Sequence, residues 1–284
     1  MIDVDSKIPN LALMKISADY KKQGDKVEWY NPMFNDWDIV YMSKVFKFTP
    51  DYQYPVTANK VVKGGSGYDL KTELPPEVEN IYPDYNLYPN MDYAMGFTTR
   101  GCVRNCPFCI VPEKEGKIRP VGDIYDFWKG QDKLKLLDNN LTAHDEQFKK
   151  VLNQLIDEKI KVDFSQGLDI RLITPKKAKL LSKVKLWKQI HFAFDHPEIE
   201  EQVREGIKIL KNNGVKSYKM MFYVLIGYNT TKDQDLHRVR LLDDLGVDPF
   251  VMPYDKSDNY QKNFARWVNH KAIFKTVSWE NYRN

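Results

Sequence analysis

The three cysteines of the chain lie in one short segment, TTRGCVRNCPFC, and the rest of the sequence contains none. Cys102, Cys106 and Cys109 have the spacing CxxxCxxC, so three thiolates can bind one metal centre from a single loop. Structural zinc sites and iron–sulfur clusters normally take four protein ligands. The spacing therefore predicts a metal centre with one open coordination position, at which a small molecule can bind, as in catalytic zinc sites.

The motif resembles the signature of the radical S-adenosylmethionine (radical SAM) enzymes, and Phe108 supplies the aromatic residue that is typical just before the last cysteine. The resemblance implies a 4Fe-4S cluster on the three cysteines, with the amine and carboxylate of SAM on the fourth iron. It also implies reductive cleavage of SAM to a 5′-deoxyadenosyl radical that abstracts hydrogen, chemistry that the cofactors carry. An electron donor such as flavodoxin or ferredoxin is expected. The substrate is left open between a small molecule, a nucleotide or RNA, and a peptide, and no catalytic side chain is assigned.

Two alternatives are open. From another class, His144 could complete a closed zinc site with the three cysteines in a non-catalytic zinc or nucleic-acid-binding protein. Among enzymes, the alternative is a cobalamin-dependent radical SAM methyltransferase or a radical enzyme that modifies RNA or nucleotides. Methylthio transfer usually needs further cluster cysteines or a terminal RNA-binding module, and neither is evident in this sequence.

The composition predicts a globular protein away from membranes. Hydrophobic residues make up 42% of the 284 residues and charged residues 29%, both ordinary values. Neither a run of 18 apolar residues nor a signal peptide is evident, which predicts a cytoplasmic setting that suits unpaired cysteines. Residues 1–90 carry 10 Lys and no Arg against 13 Asp and Glu, a net charge of −3. The remaining residues therefore carry a net charge of +7, which gives the total of +4. This excess either meets phosphates or is a solvated lysine-rich surface.

Residues 1–90 are predicted to form a small α/β unit followed by a proline-rich linker. The apolar spacing predicts a helix over residues 10–23 that is ended by Gly24, with short strands around 26–29, 37–42 and 60–62. This layout resembles a shortened, degenerate cobalamin-binding domain. Such domains commonly carry a DxHxxG motif, but the first histidine here is His144, so cobalamin is not expected.

From residue 91 the chain alternates strands and helices. The patterns predict strands at 93–97, 134–137, 161–164, 189–194, 219–226 and 249–252. Six successive βα units predict an α/β fold with a parallel sheet, and they match the partial (β/α)6 TIM-type barrel of the family that the motif resembles. We assign residues 91–256 to this barrel. Residues 257–284, rich in aromatic and basic side chains, are predicted to form a closing segment, with base stacking as the alternative.

Active sites of parallel barrels form at the carboxyl ends of the strands. By resemblance, Asp138 and Asn140 after the second strand bind the methionine ammonium of SAM. After the third strand, Gln166 is expected to contact the ribose hydroxyls and Arg171 to pair with the methionine carboxylate. For Asp138 a turn or N-cap role is the alternative, and for Arg171 a surface ion pair.

The fourth and fifth barrel strands supply the remaining expected contacts. Asp195, which follows the fourth strand, is expected either to accept from the ribose hydroxyls or to cap the next helix. The fifth strand, YVLIGYN, resembles the adenine-binding element of the family. Ile226 and Gly227 are therefore expected to flank the adenine of SAM.

Overall fold

A computed structural model describes residues 1–34 and 37–282 of the chain. The last two residues of the predicted closing segment, 283 and 284, lie outside this description. In chain order the strands are β1 Ile2–Asp3, β2 Ile39–Ser43, β3 Lys60–Gly64, β4 Ala94–Gly96, β5 Thr99–Arg100, β6 Arg119–Pro120, β7 Lys133–Leu136, β8 Lys161–Phe164, β9 Lys185–Leu186, β10 Ile190–Ala193, β11 Met220–Ile226 and β12 Asp248–Pro253. The helices are α1 Leu11–Gln23, α2 Pro76–Glu79, α3 Val111–Lys114, α4 Asp145–Asp157, α5 Pro175–Leu181, α6 Glu200–Asn212, α7 Lys232–Asp244, α8 Asn259–Asn269 and α9 Lys271–Thr276.

The larger part of the chain is built on parallel strands. β4, β7, β8 and β9 pair in that order, and β10, β11 and β12 form a second parallel group. The backbone N–H of Leu168, just after β8, donates to the carbonyl of His191 in β10 at 2.8 Å, so the two groups adjoin. The spatial order of the main strands is thus β4, β7, β8, β10, β11, β12. All six predicted barrel strands are present within one residue of their expected ends, and in the described residues β4 and β12 do not pair, so the barrel is open.

The two faces of this sheet have different chemistry. One set of alternating side chains packs with helices α4 to α8 in the main hydrophobic core, for example Leu134, Val162, Phe192 and Phe222. We call this the outer face. The opposite inner face carries a different set of side chains, which are Lys135, Asp163, His191, Tyr223 and Phe250. Apolar burial therefore attaches the helices to one face and leaves the other for polar groups.

Local signals account for most helix ends in the barrel. The Thr174 side chain caps α5 just before Pro175, and Thr231 opens α7 with a capping box. α5 ends at Leu181. A 3-10 turn at Pro197–Ile199 precedes α6, which starts at Glu200.

The N-terminal unit contains β1, β2 and β3 in a parallel sheet of that order, with α1 beside it. Asn10 caps α1, and Gly24 ends it with φ of 95°, as the sequence predicts. The strand predicted at residues 26–29 is wrong. The amino group of Met1 donates to the carbonyl of Glu28 at 2.8 Å and Tyr30 N donates to Met1 O at 2.9 Å, but no ladder extends from this contact.

The N-terminal unit lies against both ends of the open sheet. Leu11 of α1 packs with Met95 and Leu137 beside β4 and β7. At the other end, Lys256, just after β12, places its Nζ 4.7 Å from the ring centroid of Phe48. The predicted boundary at residue 90 therefore separates two units that are in contact, and it stays a prediction.

The C-terminal segment covers β12. Phe264 and Trp267 of α8 are buried in the main core, and the Asn269 side chain bonds both the N–H and the carbonyl of Val251. These bonds satisfy backbone groups of an edge strand that would otherwise be free. The aromatic rings of the segment pack on one another, and the closing role of residues 257–284 stays a prediction. None of the described helices is long and apolar enough to cross a membrane.

Candidate metal and cofactor site

The cysteine loop follows β4 and the short strand β5. Gly101, just before Cys102, has φ of 79°, and a Cβ there would lie 2.3 Å from the carbonyl oxygen of Lys117. Only glycine fits a position with both a left-handed backbone and so close a neighbour. The tight turn at Gly101 thus sets the start of the loop that carries all three cysteines.

A buried carboxylate holds the strand that leads into the loop. Asp138 Oδ1 accepts from Thr98 Oγ1 at 2.7 Å, Thr99 N at 2.5 Å and Thr99 Oγ1 at 2.6 Å. Burial raises the pKa of Asp138, whereas the hydrogen bonds from the two threonines oppose that rise. Thr98 and Thr99 were not predicted as partners of Asp138, although the sequence shows two adjacent hydroxyls just before the cysteines. Asp138 forms neither a turn nor an N-cap, and its binding to SAM stays a prediction.

A second carboxylate, Glu115, bridges the loop to the rest of the site. Its Oε2 accepts from Gly101 N at 2.9 Å and from Asn139 Nδ2 at 2.6 Å, and its Oε1 accepts from Arg100 at 3.1 Å. Arg100 also pairs with Glu79 of α2 at 2.9 Å. These contacts were not predicted, because they join residues that are distant in sequence.

The sulfur of Cys102 has two N–H groups directed at it. Asn140 Nδ2 lies 3.4 Å from Cys102 Sγ, and the backbone N of Arg104 lies 3.3 Å from the same sulfur. The Asn140 side chain is held in turn by Thr142, whose hydroxyl donates to Asn140 Oδ1 at 2.7 Å. N–H groups that donate to cluster sulfurs are a means by which proteins tune iron–sulfur centres. The surroundings of Cys102 therefore suit a metal-bound thiolate.

The other two cysteines occupy the tip of the loop. Cys109 N donates to the carbonyl of Cys106 at 3.0 Å, and Cys109 is exposed. Burial and the neighbouring Cys109 raise the pKa of the Cys106 thiol, while Arg171 acts to lower it. Across residues 1–34 and 37–282, no three His, Cys, Asp or Glu side chains are arranged around a common metal position. The donor set, three thiols on one loop, nevertheless fits a cluster with three protein ligands.

His144 has another role in the fold. Its Nδ1 accepts from Gln147 N at 3.3 Å and so caps α4. Within the described part of the chain, His144 forms no metal-type group with the cysteines. The closed zinc site considered from the sequence therefore has no fourth ligand in this arrangement.

Arg171 lies beside the cysteine loop in a paired state. Its Nε and Nη2 donate to the two carboxylate oxygens of Asp169 at 2.7 and 3.0 Å, and Arg104 Nε donates to Asp169 Oδ2 at 2.8 Å. Although burial acts to raise the pKa of Asp169, the two guanidinium groups hold that pKa below its usual range. The ion-pair alternative for Arg171 is thus present, and its binding to SAM stays a prediction. Gln166, after β8, is exposed and available to a ligand.

Asp195 does not cap the next helix. Its Oδ1 accepts from Leu225 N of β11 at 3.2 Å, and the side chain of His196 caps the 3-10 turn instead. Burial raises the pKa of Asp195, while the Leu225 hydrogen bond and nearby Arg238 oppose that rise. The capping alternative is wrong, because the strand neighbour captures the carboxylate. The ribose contact remains a prediction.

The adenine element and the cysteine loop meet through aromatic rings. Ile226 is fully buried, and Gly227 has φ of 77° with no room for a Cβ beside the Gln261 side chain. Tyr228, the next residue, packs edge-on against Phe108 with ring centroids 5.4 Å apart. The carboxyl end of β11 is thus in contact with the cysteine loop, as a shared cofactor site requires.

Comparisons with known proteins agree with this geometry. The chain is 26% identical over 140 residues to the ribosomal protein uS12 methylthiotransferase RimO of Pseudomonas aeruginosa, and 25% identical over 140 residues to that of Ectopseudomonas mendocina. The aligned part is 47% of this chain and 30% of each relative, so the chain spans about a third of the relatives' length. No family model matches.

A similar solved structure is the radical S-adenosylmethionine methyltransferase TsrM from Kitasatospora setae, with cobalamin and a [4Fe-4S] cluster bound. The TM-score is 0.49 at 13% identity, over 60% of this chain and 36% of that one. Likeness at this level adds nothing to the argument. The relation to RimO, together with the cysteine motif and the open parallel barrel, identifies the chain as a member of the radical SAM superfamily of enzymes.

Replacement of Asp138 with Ala should lower the free energy of unfolding by about 1–3 kcal/mol, because Thr98 and Thr99 would lose their buried acceptor. Urea unfolding of the cluster-free protein measures this change. Asp132→Ala, at an exposed position of the same segment, is the matched control and should be neutral. Equal stability of the two variants would show that the Asp138 carboxylate does not hold the loop.

Proposed function

We propose that this chain binds a 4Fe-4S cluster through Cys102, Cys106 and Cys109 and cleaves SAM reductively, so that the resulting radical abstracts hydrogen from a substrate. The observation that carries the proposal is the arrangement at Cys102. Three thiols lie on one loop after the first barrel strand, and two N–H donors already face one sulfur. When bound, the cluster and SAM would supply the electron transfer and the 5′-deoxyadenosyl radical.

The chain's own residues would hold the cofactor and keep water away. Asn140 would support the Cys102 thiolate, as its present contact suggests. Arg171 has Nη1 without a partner among the described residues, so it could bind the methionine carboxylate and keep its pair with Asp169. The Gln166 amide would donate to and accept from the ribose hydroxyls, and the Asp195 carboxylate would accept from them. Ile226 with Gly227 would border the adenine.

The N-terminal unit would close the open side of the barrel. Its contacts with Met95 and Leu137 at one end and with Lys256 at the other support this role. A radical intermediate needs a site from which water is excluded. We also propose a cytoplasmic setting and an electron donor of the flavodoxin or ferredoxin type, since three unpaired cysteines suit a reducing compartment. The substrate class stays open.

Anaerobic reconstitution should give about four irons per chain, the content of one cubane cluster. The reduced protein should show an electron-spin spectrum that changes when SAM is added, and it should release 5′-deoxyadenosine with dithionite. Cys106→Ala should abolish the release, because one ligand is lost, whereas Val103→Ala, an exposed position in the same loop, should not. One equivalent of zinc and no iron uptake would contradict the proposal.

Arg171→Ala and Gln166→Ala should each weaken SAM binding while the iron content stays unchanged. The loss for Arg171 should be about 1–3 kcal/mol, the range for a hydrogen bond to a charged group. Equilibrium dialysis with reconstituted protein measures the affinity. Lys176→Ala, an exposed control nearby, should bind as the unmodified chain does, and an Arg171→Ala affinity equal to the control's would remove Arg171 from the site.

A cobalamin-dependent methyltransferase is the second candidate function, and the parallel sheet of the N-terminal unit is the observation that favours it. Two observations stand against it. No histidine precedes His144 in the sequence. Gly65 and Gly67, which could approach a corrin, are already packed against Lys44. A Cβ on Gly65 would lie 2.4 Å from the carbonyl oxygen of Lys44, so this glycine serves close packing of two loops.

Protein that is purified in the presence of hydroxocobalamin should show no corrinoid absorption band after desalting, because the N-terminal unit offers neither a histidine ligand nor a free glycine surface. Absorption spectroscopy of the desalted protein measures retention. Serum albumin carried through the same column sets the background. A band of one corrinoid per chain would support the second candidate.

A further inference from the structure

A polar cluster crosses four adjacent strands on the inner face and has no part in the cofactor site described above. Lys135 Nζ of β7 donates to Asp163 Oδ2 of β8 at 2.7 Å. His191 of β10 places Nδ1 3.9 Å from Asp163 Oδ1, and Tyr223 of β11 places its hydroxyl 3.4 Å from the same Nδ1. Lys135, Asp163 and His191 are all buried.

A buried polar cluster of this kind contributes little to the free energy of folding. A buried ion pair costs desolvation that its attraction scarcely repays, and apolar residues in its place are often at least as stable. In the described residues, Asp163 Oδ1 is moreover a buried acceptor without a hydrogen-bond donor. An orphaned carboxylate oxygen of this kind calls for an explanation. Asp163 stands one residue before the carboxyl end of β8, close to the end of the barrel where active sites form.

The surroundings of His191 determine its tautomer. Nδ1 faces three oxygens, which belong to the carbonyl of Phe164 at 3.3 Å, the Tyr223 hydroxyl and the Asp163 carboxylate. A carbonyl oxygen can only accept, so the proton of the neutral ring belongs on Nδ1. Nε2 then carries a lone pair, and it has no hydrogen-bond partner in residues 1–34 and 37–282.

The charges around His191 keep the resting ring neutral. Burial lowers the pKa of His191, and the cations of Lys135 and Lys188 lower it further. Asp163 and the Phe164 carbonyl raise it, but the net direction is downward. Tyr223, the remaining titratable group against the ring, is itself kept as a neutral phenol because burial raises its pKa. As the pH falls, the His191 ring is therefore protonated at a lower pH than the ring of an exposed histidine.

Next to this buried cluster, the inner face carries exposed apolar side chains. Phe250 of β12 packs edge-on against Tyr223 with ring centroids 5.9 Å apart. Phe250 is 39% exposed, and Met252, on the same face of the strand, is 45% exposed. A substrate that lies on these apolar side chains would lie beside Tyr223, whose hydroxyl contacts the His191 ring.

We propose that His191 is a catalytic base that takes a proton from an O–H or N–H group of the substrate through Nε2. The O–H or N–H bond breaks, its electron pair stays on the substrate, and the proton forms an N–H bond on the imidazole. Asp163 Oδ1 then accepts the charged Nδ1–H, which explains why this oxygen lacks a donor in the resting state. The step changes no oxidation state, and the proton passes later to solvent. The inference rests on the proposed function for its setting and narrows the substrate to one that carries an ionisable O–H or N–H group.

Nuclear magnetic resonance of the full chain labelled with ¹⁵N-histidine tests the resting state without any cofactor. His191→Gln identifies the signal. We expect the Nδ1–H tautomer at neutral pH and a midpoint below the ordinary value of about 6.5. Lys135→Met should move the midpoint upward because a cation is lost, whereas Asp163→Asn should move it downward by roughly one unit because a carboxylate is lost. An Nε2–H tautomer, or a midpoint that neither variant moves, overturns the proposal.

Chemical modification tests whether Nε2 can be reached. Diethyl pyrocarbonate should acylate His191 in the folded full chain, with a pH dependence that follows the midpoint from magnetic resonance, and peptide mass spectrometry locates the adduct. Exposed His270 is the internal standard. Acylation of His270 without His191 would mean that no substrate reaches the ring, which overturns the proposal. Because both measurements use protein without the cluster, a failure of SAM cleavage and a failure of this inference remain separate results.

Discussion

The hydrogen bonds that Asp138 accepts from Thr98 and Thr99 are the constraint on which the candidate site depends. The cysteine loop has little regular structure of its own, so its position comes from the strand that precedes it. A carboxylate that is 4% exposed, and that accepts two backbone N–H groups and two hydroxyls, fixes that strand against the end of β7. Charge-assisted hydrogen bonds in a buried setting are strong and directional, and removal of the acceptor leaves several donors unsatisfied.

Two further carboxylates extend this principle around the loop. Glu115 holds the turn at Gly101 and also Asn139, and Asp169 holds Arg104 and Arg171. Each carboxylate joins the loop to a different barrel element. A cluster site needs ligands and N–H donors at fixed positions, and a shell of ion pairs can provide them where a flexible loop alone cannot.

Successive side chains of each strand point to opposite faces of the sheet, so one face can stabilise the fold while the other carries polar groups. The outer face binds the helices through apolar contacts, so the fold does not require apolar residues on the inner face. The inner face is thereby free to carry Lys135, Asp163, His191 and Tyr223. The N-terminal unit contacts the sheet beside β4 and β7 through Leu11 and the segment after β12 through Phe48.

The sequence by itself determined the class of centre and the succession of elements. Three cysteines in one loop supply thiolate ligands for one metal centre, and the apolar patterns predicted the six barrel strands within one residue of their ends. The strand predicted at residues 26–29 is absent, because the pattern was short and the segment makes only isolated hydrogen bonds with Met1.

Only the tertiary structure decided which polar residues meet. Asp138 was expected to bind the methionine ammonium of SAM, which stays a prediction, and its contacts with Thr98 and Thr99 come from about forty residues away in the sequence. From the sequence, Asp195 could cap a helix or accept a hydrogen bond elsewhere. The pairing of the strands places Leu225 N beside its carboxylate, which accepts from it. His191 gave no signal at all, because its neighbours come from β7, β8 and β11. Local sequence specifies what a residue can do, whereas long-range pairing specifies the partner with which it does so.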